Sequence, residues 1–76
     1  MQSRQTEAQL MIEFAMLWSP WGGAPDEDIL VRFGISSMVF YTRVLQLLEQ
    51  NQAQLDHRKS VMLRAQCTTK LSKGIR

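Results

Sequence analysis

Seventy-six residues, 45% of them apolar and 21% charged, make one small globular domain and exclude a disordered chain. A chain this short buries only about 60% of its unfolded surface, which excludes a second domain and argues against a deep substrate pocket. The net charge of +2 divides unevenly, with three bases against seven acids through Asp56 and six bases without an acid from His57 onward. An acidic body carrying a basic segment (about 56–76) fits either a polyanionic or acidic partner, or a solvated tail that aids solubility.

The N-terminus lacks the charged lead and cleavage site of a signal peptide. No apolar run approaches the roughly 20 residues of a membrane span, and the longest, "LMIEFAMLW", is interrupted by Glu13. Cys67 is a lone cysteine and can form no internal disulfide. These features predict a cytoplasmic protein without a membrane partner.

The first helix is predicted over 6–19. Thr6 and Gln9 form a candidate capping box, and Leu10, Phe14, Leu17, Trp18 and Trp21 recur on one helical face. On that phase Trp18 and Trp21 are core residues and not base-stacking platforms. Ile12 and Met16 point to the opposite side. They mark either a dimer seam or a patch covered by the last helix. Pro20 ends or bends the helix, because the residue before a proline avoids the α region.

Gly22-Gly23 breaks the chain, and a second helix is predicted over 25–33 with Pro25 at its first position. Asp26, Glu27 and Asp28 then fall in the first turn, where the helix dipole favours carboxylates. Capping is preferred over a metal site, because neighbouring side chains on a helix diverge and no second ligand cluster exists. Ile29, Leu30 and Phe33 are expected to face inward. Gly34 can end this helix in the left-handed conformation, Ile35 can pack onto the core, and Ser36 can cap the next helix.

That third helix, over 36–50, places Phe40, Val44, Leu47 and Leu48 on one stripe with Tyr41 beside it. Ser37, Met38, Thr42, Arg43 and Gln46 are left on the outer side and its margins. A fourth helix is predicted over 56–70 with Asp56 as cap. Leu48, Leu55, Met62 and Thr69 fall seven apart, which equally suits one long helix through the polar "EQNQAQ". "SKGIR" is expected to fray. The fold class is all-α: a single domain of three to four helices containing a helix-turn-helix. Its predicted core is Phe14, Trp18, Ile29, Phe33, Ile35, Phe40, Val44 and Leu47.

From Phe14 to about Leu48 the chain resembles a small actinobacterial family of uncharacterised helix-turn-helix proteins. The resemblance rests on Phe14, Trp18, Trp21, Gly23-Ala24, Ile29, the turn Phe33-Gly34-Ile35-Ser36, the aromatic pair Phe40-Tyr41, and Leu47. The chain departs from that family at Pro20 and Pro25. The resemblance implies a compact helical domain with presumed DNA binding and no established activity.

Catalysis is rejected at this level. A nucleophile and its base must lie within hydrogen-bond reach. His57 and Cys67, ten residues apart on one helix, would be roughly 15 Å apart along its axis. No phosphate-cradling loop, metal-ligand spacing, cofactor motif or small-molecule site is present. The leading expectation is a transcription regulator that binds double-stranded DNA. In a helix-turn-helix the second helix meets base edges, which assigns Ser36, Ser37, Met38, Thr42, Arg43 and Gln46. Arg58, Lys59 and Arg64 are assigned to phosphates. The alternative is a protein-docking regulator that meets a transcription factor or polymerase subunit through Met38 and Val39, or forms a homodimer through Ile12 and Met16.

Overall fold

The computed structural model describes residues 7–50 and 55–74, with side chains through 72. Four helices, α1 (Glu7–Trp18), α2 (Asp26–Phe33), α3 (Ser37–Glu49) and α4 (His57–Gly74), account for most of these residues. A single 3-10 turn, Ser19–Trp21, follows α1. Among the described residues there is no strand, and the class is all-α. Thr6 of the predicted capping box lies outside the described residues, as do 51–54 of the polar connection.

The breakers act close to where the sequence puts them. Pro20 sits in the 3-10 turn, and Gly22 closes that turn in the left-handed region, its N–H donating to the Ser19 carbonyl at 3.1 Å. Pro25 is the N-cap of α2 rather than its first residue, and its carbonyl accepts from Asp28 and Ile29. α3 ends at Glu49 with Gln50 as its cap, and Leu55 and Asp56 are not helical, so 49–70 is not one continuous helix. Asp56 Oδ1 accepts from the Lys59 N–H at 2.8 Å, the capping bond expected for α4. α4 then continues four residues past its expected end, so Ser72, Lys73 and Gly74 are helical and not frayed.

Helix α3 is the hub, packed against α1, α2 and α4. The core comprises Met11, Ile12 and Ala15 of α1, Ala24, Ile29 of α2, Phe40, Tyr41, Val44 and Leu48 of α3, and Leu63 and Cys67 of α4. Phe14, Trp18, Phe33, Ile35 and Leu47 are partly buried against it. The rings of Phe14, Phe33 and Phe40 meet at centroid distances of 5.3 to 5.7 Å, with Tyr41 edge-on to Phe40 at 5.0 Å. Such pairs add about 0.5–1.5 kcal/mol each beyond the area they bury.

The phase of α1 differs from the expected one. Its buried face is Met11, Ile12 and Ala15, whereas Leu17 is 70% and Trp21 75% exposed. Relative to the predicted stripe the helix is turned by about a third of a revolution at 100° per residue. α1 is apolar on nearly every side, so its periodicity constrains the inward face weakly. The tighter 3-10 winding after Trp18 also carries Trp21 off any α-helical stripe. The Ile12–Met16 seam falls with that phase: Ile12 is buried in the core that includes Leu63 and Cys67, and Met16 is partly buried against it. Leu30 was expected inside and is exposed. On an eight-residue helix, Ile29 and Phe33 suffice to seal the contact with α3.

Candidate nucleic-acid interface

Helices α2 and α3 are joined by three residues, each with a definite physical role. Gly34 has φ 72° and donates its N–H to the Leu30 carbonyl at 2.8 Å, ending α2. Ile35 packs against the core. The Ser36 hydroxyl accepts from the Val39 N–H at 3.2 Å and starts α3. Behind this turn Ile29, Phe40 and Val44 are fully buried.

The outer side of α3 then presents Met38, Val39, Arg43 and Gln46 to solvent, with Ser37 and Thr42 half-buried at its margins. Among the polar candidates, Arg43 and Gln46 extend outward as expected. The serines differ: the exposed Ser36 accepts the cap bond and keeps its O–H for donation, whereas Ser37 Oγ donates to Asp26 Oδ1. That tertiary bond sets a carboxylate at the start of α3. Local pattern alone assigns Asp26 only to its own helix. Asp26, Glu27 and Asp28 are all exposed, so the approach to α3 along its N-terminal end is acidic.

The two flanks of α3 differ. Arg43 and Gln46 line a shallow cleft of about 230 Å³ with Glu7, Met11 and Leu47, on the side facing α1. On the opposite flank Tyr41 meets α4, where the Lys70 ammonium lies 5.8 Å from the ring centroid. A second cleft there, about 360 Å³, is lined by Asp26, Ser37, Met38, Lys70 and Leu71. The Tyr41 hydroxyl accepts from the Ala24 N–H at 2.9 Å, and burial raises its pKa above the ordinary 10.0 despite that bond. Sequence reasoning missed this Gly23–Ala24–Tyr41–Lys70 contact, whose faint signal is the small pair Gly23-Ala24.

Arg58, Lys59 and Arg64 are exposed on α4. They do not form one stripe: at 100° per residue Arg64 lies roughly 120° around the helix from Arg58. Lys59 lies about 100° from Arg58, so the three bases are spread almost evenly around α4 and no one side of the helix presents all three. His57 is exposed in the first turn of α4, whereas Cys67 is fully buried with its thiol pushed up to about 12 by desolvation. Among the described residues no three of His, Cys, Asp and Glu are grouped to hold a metal ion. No helix there is long and apolar enough to cross a membrane.

A family model described as "Protein of unknown function (DUF3263)" matches residues 3–66. That span contains the whole α2–α3 unit, contains the 14–48 segment of the resemblance, and extends ten residues into α4. No curated protein and no solved structure matches the chain. With five-sixths of its length inside that one model, the chain belongs to the DUF3263 family.

Proposed function

We propose that the protein is a small helix-turn-helix regulator of transcription that binds double-stranded DNA in the cytoplasm, without a cofactor or small-molecule substrate. One observation carries this reading. The three-residue connection with left-handed Gly34 holds α3 on the core by Phe40 and Val44, leaving Met38, Val39, Arg43 and Gln46 facing outward. In that motif the second helix enters the major groove. Arg43 and Gln46 would then meet base edges, Met38 would meet a thymine methyl, and Thr42 would contribute from the margin. Arg58, Lys59 and Arg64 would neutralise phosphates from different sides of α4. Ser36 would donate its remaining O–H to a phosphate, while the Ser37 hydroxyl already donates to Asp26.

A fluorescence-anisotropy titration with random duplex at low and moderate salt tests this. Binding that weakens steeply with salt is expected. Absence of binding at low salt would end the reading.

A second reading is favoured by the Asp26–Ser37 bond, because a carboxylate at the start of α3 repels a phosphate there. On that reading the protein docks onto a transcription factor or polymerase subunit through Met38 and Val39, which are 47% and 40% exposed. Truncating an anchor at the centre of such an interface costs about 2 kcal/mol or more. Met38→Ala would therefore weaken partner binding and leave the melting temperature nearly unchanged.

A further inference from the structure

We propose that the chain associates with a second copy of itself through an in-register contact between the outer face of α2 in one copy and that of α4 in the other. The two faces carry the same pattern with opposite charge. On α2 it is Glu27, Asp28, Ile29, Leu30, Val31; on α4 it is Arg58, Lys59, Ser60, Val61, Met62. In each, the third residue turns toward its own core, Ile29 fully and Ser60 half-buried. The other eight residues are all exposed, with Val31 at 86% and Val61 at 52%.

Helix spacing makes each set a surface. Glu27 and Asp28 lie four and three residues before Val31, as Arg58 and Lys59 lie before Met62, so charge and apolar residue share a face one turn apart. Laid parallel, the two helices set carboxylates against Arg58 and Lys59 while Leu30 and Val31 cover Val61 and Met62. Apolar contact supplies attraction, and the charges fix direction and register.

Exposed apolar residues grouped on one helix face and rimmed by charge mark an interaction surface. Here the matching face exists on the same chain. Both faces are exposed within one molecule, and a second copy supplies the complement of each at once. Each copy has both, and when the contact closes about a two-fold axis it forms twice, α2 to α4 and α4 to α2. Next to Met62, Ser19 of the 3-10 turn approaches its sulfur at 3.9 Å, which sets that turn beside the same face. No residue of α3 takes part, but Arg58 and Lys59 serve both readings, so DNA and the second copy would compete for them.

Sedimentation velocity of the full chain, from micromolar to near-millimolar concentration, tests it. At low salt the apparent mass should rise with concentration above the 8.8 kDa of the single chain. Association should weaken in about 0.5 M salt, where the Debye length falls to roughly 4 Å and the charge pairs are screened. The double variants Glu27→Lys/Asp28→Lys and Arg58→Glu/Lys59→Glu should each remain monomeric at every concentration. The quadruple variant, which exchanges both charges, should associate again, with helicity by circular dichroism confirming that each variant is folded. A wild-type chain that stays monomeric throughout overturns the proposal. So does association that survives either double variant, or a folded quadruple variant that fails to recover it.

Discussion

At Gly23 the backbone has φ 120°, and a Cβ built there would lie 2.3 Å from Lys70 Cε and 2.9 Å from the Tyr41 hydroxyl oxygen. The lysine can swing away, but the tyrosine is buried and held by the Ala24 N–H. Gly34 also has positive φ, yet a Cβ there meets nothing within 4 Å. Gly34→Ala should therefore cost only the left-handed penalty of about 1–2 kcal/mol, while Gly23→Ala should cost more, because strain and crowding add. Urea midpoints of the two variants measure the difference, and equal midpoints would refute the close approach at Gly23. Cys67 gives a second residue-scale outcome. Its thiol ordinarily ionises near 9.0 and is raised to about 12 in the fold, so the folded state holds this proton more tightly than the unfolded state. Stability from this group is full below pH 9 and is lost between 9 and 12, and Tyr41, shifted in the same direction, adds to the loss. The melting temperature should fall over that interval, and less steeply in Cys67→Ala once its lower starting stability is allowed for.

Among the elements, helix ends were far more legible than helix faces. Pro20, Gly34, Ser36 and Asp56 act through local bonds whose chemistry is visible in three or four residues. Their turns and caps appear within a residue of the expected positions. Faces depend on what lies opposite. α3 has clear polar and apolar sides, and Phe40, Val44 and Leu48 are buried as read. α1 has no such contrast, so its rotation is decided by its packing against α3. Among the described side chains of α4 only Leu63 and Cys67 are fully buried, too narrow a stripe to detect by periodicity. The cap of α4 supports a direct test. Asp56→Ala removes the acceptor for the Lys59 N–H and should cost about 1 kcal/mol. The amides of the first turn of α4 should then exchange with solvent faster, while those of α3 are unaffected.

For the molecule as a whole, the charge asymmetry of the sequence survives folding in an altered form. The outward residues of α3 could be read from the stripe, but the Asp26–Ser37 bond could not, because it joins residues eleven apart through a tertiary turn. The spread of the α4 bases, by contrast, follows from helical spacing alone. Both matter for the DNA reading. If duplex is bound, Arg58→Ala/Lys59→Ala should reduce affinity for all sequences and flatten the salt slope by about 0.9 per lost phosphate contact. Arg64→Ala should flatten it separately, or not at all if that side of α4 faces away. Arg43→Ala should instead change sequence preference, by about 1–3 kcal/mol at the base it reads. Anisotropy titrations on two unrelated duplexes over a range of salt distinguish the two behaviours.

The bonds that fasten α4 join distant parts of the chain: Gln66 Nε2 donates to the Ser19 carbonyl, and Lys70 lies over Tyr41. Neither depends on an unbroken connection between Gln50 and Leu55. A chain severed there should reassemble from its two pieces. Most helical stability in proteins comes from tertiary packing, so the 55–76 peptide should be largely unstructured alone and become helical when mixed with 1–50. The affinity of the two pieces would then measure directly what holding α4 in place contributes.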